Sequence, residues 1–368
     1  MNRRRFLASA GAFGAAATFP GSAWAAGSGF VRASGTGFVV GKKRWRLHGG
    51  SCYGTLNPGG SGSVQGAVVL ALQAQLNTLR LAEWFDQSGN DPSSPFDPSA
   101  WARVDQMLAA MRGAGLRAIL DLSCYRNFLQ NYLLLQGSST TPYSYDWSPF
   151  VRFVARRVNT VNGIPYRRDP TIAIVSFAGE PNPPNSQEPL KPTTDELTTF
   201  YRTVFATWKN YDRNHLVSSG GLLHIDWEGV YGSSSGIDWQ AIFSLAQNDV
   251  PSIHSYWHVM PPTADTDYRS PKVSAYCLGI RKPWLTEEFG WLQQPVDEST
   301  SPPTTYTEQD RADWYSLVYD IQRGAYSSIA PSAGAAFWNL GAEVDPASHD
   351  VNPQTPATWS VVEANAPA

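Results

Sequence analysis

Residues 171–184 read TIAIVSFAGEPNPP, an apolar run that stops abruptly at Gly179, Glu180 and Pro181. Four of the six residues at 172–177 are β-branched or aromatic, and a Gly and a Pro close the run, so a buried strand is predicted. Side chains alternate along a strand. Ile174, Ser176, Ala178 and Glu180 are therefore expected on one face, with a carboxylate at the C-terminal edge. Residues 282–291, KPWLTEEFGW, follow the same plan: a short strand at 284–287 ends in the adjacent carboxylates Glu287 and Glu288.

Further strands are predicted to end at His48, Gly49 and Gly50, and to cover 78–82, 117–122, 216–219, 250–254 and 335–338. Helices separate most of them. Asp97 as cap, Pro98 at the first helical position, apolar Trp101, Val104, Leu108 and Met111, and Gly115 beyond the end mark one helix. Thr193 with Glu196 and Thr307 with Asp310 are capping pairs before two others, and helical patterns also cover 64–76 and 149–160. Residues 125–146 read as a long aromatic-rich loop walling a cleft. Strand starts recur every ~30 to 55 residues, the βαβ rhythm of an α/β (β/α)₈ TIM barrel, whose chemistry sits at the C-terminal strand ends. A hairpin from 30–40 and 43–47 is expected to plug the barrel's bottom. The Pro-rich pieces at 181–192 and 295–303 follow strand ends and read as loops of the working face, not as linkers.

Composition narrows the function. The 368 residues, 42% apolar, are enough for one large core, so 26–368 is read as a single domain. A net charge of −3 with no long basic run argues against nucleic acid or an anionic membrane surface as partner. Fourteen Trp and sixteen Tyr supply flat faces with polar edges, suited to stacking on sugar rings as well as to ordinary core packing. Residues 1–25 read as an export signal: Arg3, Arg4 and Arg5 precede Phe6 and Leu7, and Ala23, Trp24 and Ala25 form a small-x-small cleavage pattern of the twin-arginine type. The product is then periplasmic or extracellular, and no stretch reaches the ~18 apolar residues of a membrane span. Cys52, Cys124 and Cys277 are too scattered for a disulfide framework, and Cys124 reads as a small core residue.

Paired strand-end carboxylates are the equipment for splitting a glycosidic bond. The ordered set Arg80 in NTLRLAEW, Glu180 in AGEPN, His254 and Tyr256 in SIHSYW, Glu288 in LTEEFGW and Trp338 in AAFWNLG resembles the clan A glycoside hydrolases, closest to family 5, over roughly residues 30–341. The resemblance implies a retaining enzyme with Glu180 as acid/base and Glu288 as nucleophile. Strand parity also favours Glu288, which shares a face with Thr286, over Glu287. Arg80 and Tyr256 are expected to hold Glu288 as a carboxylate, while a raised pKa keeps Glu180 protonated. His254 is expected to orient the acid/base side and Trp338 to floor the sugar. Trp84, Trp257 and Trp291 are further candidate sugar contacts.

The family usually carries Asn before the acid/base, contacting the sugar's 2-hydroxyl, where this chain has Gly179; Asn127 and Asn182 are candidates to replace it. The opening FVRASGTGFVVGKKRWRLHGGSCY resembles mannanase-type members, so a monomer acting on a β-linked oligo- or polysaccharide is expected, mannan first and β-glucan second, with no cofactor and no metal. Three alternatives remain. A carbohydrate-binding barrel would use the same cleft without cleavage. A metal site would have to draw on His254, His258, His224 and Asp226, which lack a helical zinc motif. A serine esterase would use Gly232 to Gly236, GSSSG, with His48, Gly49 and Gly50, but WEGVY before it is not the strand a nucleophile elbow requires.

Overall fold

Short, fully buried strands alternate with helices from residue 47 onward in the computed structural model, which describes residues 29–60, 62–225, 234–256, 266, 269–294, 305–326 and 328–367. The 1–25 segment, Trp257, Asp226, His258, Gly232 and the 295–303 piece lie outside the described residues. Three antiparallel strands come first: β1 (Val31–Ser34), β2 (Gly37–Val40) and β3 (Lys43–Trp45). Eight barrel strands follow: β4 (Leu47–Ser51), β5 (Thr78–Leu81), β6 (Arg117–Asp121), β7 (Ile172–Ser176), β8 (Leu216–Ser218), β9 (Ser252–Tyr256), β10 (Leu285–Gly290) and β11 (Gly334–Phe337). They pair in parallel in the order β8-β7-β6-β5-β4-β11-β10-β9, and bridges Ser218–Val250 and Leu222–Ile253 close the ring. The TIM barrel expectation holds.

The N-terminal element is a three-stranded meander, not a two-stranded hairpin. Its position is as expected, because Val31 and Phe38 pack with Leu47, Ala173, Leu216 and Leu285, residues at or near the starts of barrel strands. Each such side chain, once buried, contributes about 1.5–3 kcal/mol, so the meander seals the barrel's N-terminal end as hydrophobic cover.

The helices are α1 (Tyr53–Leu56), α2 (Val64–Gln73), α3 (Pro98–Ala114), α4 (Ser123–Leu135), α5 (Ser148–Arg156), α6 (Thr194–Tyr211), α7 (Trp239–Ser244), α8 (Ser270–Gly279), α9 (Glu308–Arg323) and α10 (Pro356–Ala364). Capping pairs start α6 and α9, and α3 stops at Gly115, whose φ of 77° suits glycine. One expectation fails here. Residues 125–135 belong to a helix rather than a loop, because Tyr125, Phe128, Leu129 and Leu133 recur at helical spacing and are buried. Tyr125, Phe128 and Tyr132 stack along it with centroids 6.0 and 5.7 Å apart. This helix starts two residues after β6 and brings its first turn to the barrel mouth. All three cysteines are free and buried.

Candidate active site

The turn after β7 is the first half of the site. The strand ends at Ser176, and Ala178 and Glu180 then adopt φ of 49° and 48°, in the left-handed region that non-glycine residues enter at a cost of about 1–3 kcal/mol. Glu180 is therefore aimed by this turn and not by strand alternation. Its neighbours over-determine the conformation. Gly179 N–H donates to Ser123 Oγ at 2.6 Å, the Arg126 guanidinium donates to the Gly179 carbonyl at 3.1 Å, and Tyr201 Oη donates to the Ala178 carbonyl at 2.7 Å. Glu180 N–H donates to the Gly221 carbonyl at 2.9 Å.

The end of β10 is the second half. Thr286 pairs with Ile253 but Glu288 pairs with His254, so Glu287 is the extra residue of a bulge. The bulge overturns the parity argument, since both glutamates point into the barrel. Glu287 is fully buried and accepts from Ser218 Oγ at 2.7 Å, while Glu288 meets Arg80 at 2.5 Å and accepts from the Tyr256 hydroxyl. Arg80, 3% exposed, also bonds Asp121 at 2.6 Å and lies 3.9 Å from Glu287. Burial lowers its pKa, but Asp121, Glu288 and Glu287 more than compensate, and the guanidinium stays charged.

The two halves meet at His254. Its Nδ1 lies 2.8 Å from Glu180 Oε1 and 3.9 Å from Glu288 Oε1, and one ligand atom from each of the three residues falls within 4.8 Å of the others. Oxygens of the two carboxylates thus approach within 4.8 Å, which is in keeping with the close pair of retaining glycosidases, about 5–5.5 Å, rather than the wider pair of inverting ones, about 6.5–9.5 Å. Among the described residues this is also the cluster with metal-ligating groups, but Arg80 already places a cation on Glu288.

The electrostatics of the pair run opposite to the expectation. Burial would raise Glu180, yet the His254 hydrogen bond and the charges of His254, Arg126 and Arg80 outweigh it and hold the carboxyl down to about 2. Burial pushes Glu288 up, against the pull of Arg80 and His254. Burial lowers His254, but Glu288 and Glu180 together bring it above the ordinary histidine value. The two carboxylates thus favour a charged imidazole, one hydrogen bond from Glu180.

Both halves open on a cavity of about 360 Å³, lined by Arg80, Glu180, His254, Tyr256, Glu288 and Trp338 among others. Trp338 is half-buried, tilted against Tyr53 at 5.2 Å, with the Arg80 guanidinium 5.8 Å from its ring centroid. Asn127 lines the cavity too, whereas Asn182 does not; its Oδ1 accepts from Arg126 at 3.1 Å. Two tryptophans are corrections. Trp84 is 1% exposed and packs edge-on against Phe85 and Trp101, and Trp291 is buried against Tyr306 and Trp314, so both are core. The cavity also holds residues that the sequence reading passed over: Glu83, Asp121, Ser123, Arg126 and His349. Glu83 and Asp121 carried the same signal as Glu180, a polar residue at a strand's C-terminal end. His349 carried none. The segment before the esterase motif lies outside the described residues; its serine, Ser234, accepts from the Gly236 N–H at 3.1 Å and does not line the cavity that holds Glu180 and Glu288.

Comparison with known proteins agrees with this architecture. The model of the glycoside hydrolase family 5 β-mannosidase-like family matches residues 129–359. Mannan endo-1,4-beta-mannosidase 1 of Oryza sativa subsp. japonica is 26% identical over 388 residues, covering 92% of this chain and 85% of its own. Putative mannan endo-1,4-beta-mannosidase 9 of the same plant is 27% identical over 352 residues, covering 84% and 81%. Among solved structures, the endo-1,4-beta-mannanase from Rhizomucor miehei superposes with a TM-score of 0.70 at 19% identity, over 92% of this chain and 99% of its own. With eight parallel strands, two converging carboxylates and this family match, the chain belongs to the β-mannosidase-like group of glycoside hydrolase family 5.

Proposed function

We propose that the protein is an exported, monomeric endo-β-1,4-mannanase in which Glu288 is the nucleophile and Glu180 the acid/base. The observation that carries this is the convergence of both carboxylates on one imidazole nitrogen, at 2.8 and 3.9 Å. The mannan-hydrolase names of the plant relatives support the substrate, and the Arg-Arg-x-Phe-Leu opening supports export.

In the first step a Glu288 oxygen attacks the anomeric carbon while the bond to the leaving oxygen breaks. That oxygen takes a proton from Glu180, which receives it from His254 Nδ1 along their 2.8 Å contact. A sugar that displaces water from the cleft favours this transfer, because it replaces an ion pair with two neutral groups. In the second step Glu180 removes a proton from water, the hydroxide attacks the anomeric carbon, and Glu288 leaves as a carboxylate. Two inversions give net retention. Arg80 and the Tyr256 hydroxyl stabilise the carboxylate that departs, and Trp338 offers a ring face to the sugar.

The test is proton NMR of the first product released from β-1,4-mannan, with the products sized by chromatography. The β-anomer appearing first, in oligosaccharides of mixed length, is expected. The α-anomer first would overturn the nucleophile assignment, and release of single mannose units alone would overturn endo action.

A further inference from the structure

The amide that the family places before the acid/base has no room in this chain. A Cβ built on Gly179 would overlap the carbonyl oxygen of Gly220, and one on Gly221 would overlap the His254 ring. The backbones of the β7 and β8 ends therefore touch where a side chain would otherwise stand. Any 2-hydroxyl contact has to come from another wall of the cavity.

Helix α4 supplies one. Its first turn is bolted to the Glu180 turn through Ser123 and Arg126, which hold the two sides of the Gly179 residue at 2.6 and 3.1 Å. The same turn is bolted to the other carboxylate: Ser123 Oγ donates to Asp121 at 2.6 Å, and Asp121 accepts from Arg80, which holds Glu288. Asn127 follows Arg126 directly, lines the cavity, is half-buried, and makes no side-chain hydrogen bond among the described residues. Ser123, Arg126 and Asp121 are consumed by structure, and Asn182 by Arg126. Glu83, two residues beyond β5, has φ of 57° and lines the same cavity. Its carboxyl is raised by burial and by the charges of Glu288 and Asp121, which suits a group that exchanges hydrogen bonds with neutral hydroxyls.

We propose that Asn127 is the specificity residue that binds the 2-hydroxyl of the sugar beside the scissile bond, with Glu83 binding a neighbouring hydroxyl. The assignment rests on the hydrolase reading above. It relocates sugar recognition from the β7 end to α4, on a turn that the hydrogen-bond path keeps in fixed register with both carboxylates. Because mannose and glucose differ only in the direction of that hydroxyl, Asn127 also decides between them.

The experiment uses an aryl β-mannobioside and its analogue lacking the 2-hydroxyl on the ring next to the aryl group, with the full-length enzyme. Wild type is expected to prefer the complete sugar by about 100-fold in kcat/KM, and Asn127→Ala to bring that preference to within about threefold while matching wild type on the deoxy analogue. A merely structural role would lower both substrates alike. Retention of the wild-type preference by Asn127→Ala overturns the proposal. Asn127→Ser, which preserves a short polar side chain, is the second variant should the alanine protein not fold, with an intermediate preference expected and an unchanged one equally fatal. Calorimetric titration of mannobiose into Glu288→Gln, with and without Asn127→Ala, reads binding without turnover. If wild type hydrolyses nothing, the hydrolase reading fails. An at least tenfold weaker affinity on adding Asn127→Ala supports the Asn127 assignment independently, and unchanged affinity ends it.

Discussion

The β7 and β10 ends deliver carboxylates to the same cavity by opposite means. Glu180 stands on a turn with two non-glycine residues at positive φ, its side chain 37% exposed, and is held by hydrogen bonds to backbone atoms around it. Glu288 stands on a bulged strand, 8% exposed, and is held by charge and hydroxyl contacts to its own oxygens. One carboxylate is fixed mainly through its backbone, and its side chain, bonded to His254, stays exposed enough to meet water and a leaving group. The other is fixed through its side chain. That division suits a group that must exchange protons and a group that must hold one position and charge.

Removing each carboxylate is the sharpest way to break the comparison. Glu288→Gln is expected to lower kcat by about 10⁴-fold or more on every β-mannoside, since no bond to the anomeric carbon can form. Glu180→Gln is expected to cost about 10²–10⁴-fold on mannan but far less on an aryl mannoside whose leaving group needs no proton, measured as the first-turnover burst. Equal losses for the two variants on both substrates would erase the distinction drawn here.

The side-chain anchoring of Glu288 predicts a stability effect. Arg80→Ala leaves Asp121, Glu287 and Glu288 as buried carboxylates without their cation, and a loss of about 3–5 kcal/mol in denaturant unfolding is expected. A loss below about 1 kcal/mol would mean that the charges are screened by water.

The pH profile sharpens the same contrast. Activity needs Glu288 ionised, and its pKa is raised above 4.5, so the acid limb should fall at higher pH than an ordinary glutamate gives. It also needs a proton on the His254–Glu180 pair, and His254 is raised above 6.5, so activity should persist past the ordinary histidine value and then fall as pH rises. A basic limb at or below 6.5 would contradict the hold of the carboxylates on His254.

The smallest effect is expected at the residue next door. Glu287→Gln keeps an acceptor for Ser218 and loses only a charge 3.9 Å from Arg80, so kcat should stay within about tenfold of wild type. The adjacent pair then differs by some orders of magnitude although both face inward, because only Glu288 meets the Tyr256 hydroxyl and lines the cavity.

Most of the fold was legible along the chain. Apolar runs of strand length, capped helices and their repeat imply a parallel barrel, because burial of a two-sided strand and of a one-sided helix leaves distinct periods in sequence. Glu180 and the Glu287–Glu288 pair were legible as carboxylates at strand ends, whereas Arg80, His254, Tyr256 and Trp338 were singled out by the family resemblance. Helix α4 was not, since its aromatic residues serve a loop wall and a packed helix equally well. The burial of Trp84 and Trp291 was not either, because an indole in sequence carries no sign of which neighbours cover it.

The order of elements and the chemical identity of the groups at the barrel mouth belong to local pattern, which short-range periodicity encodes. Three matters belong to the folded molecule: that Glu287 faces inward beside Glu288, that two carboxylates raise the pKa of His254, and that Gly179 leaves no room for a side chain. Each depends on atoms distant in sequence: Ile253 and His254 setting the bulge, Glu180 and Glu288 sharing one imidazole, and Gly220 filling the space beside Gly179. Register, electrostatic coupling and steric exclusion act through space, so they have no period along the chain by which they could be read.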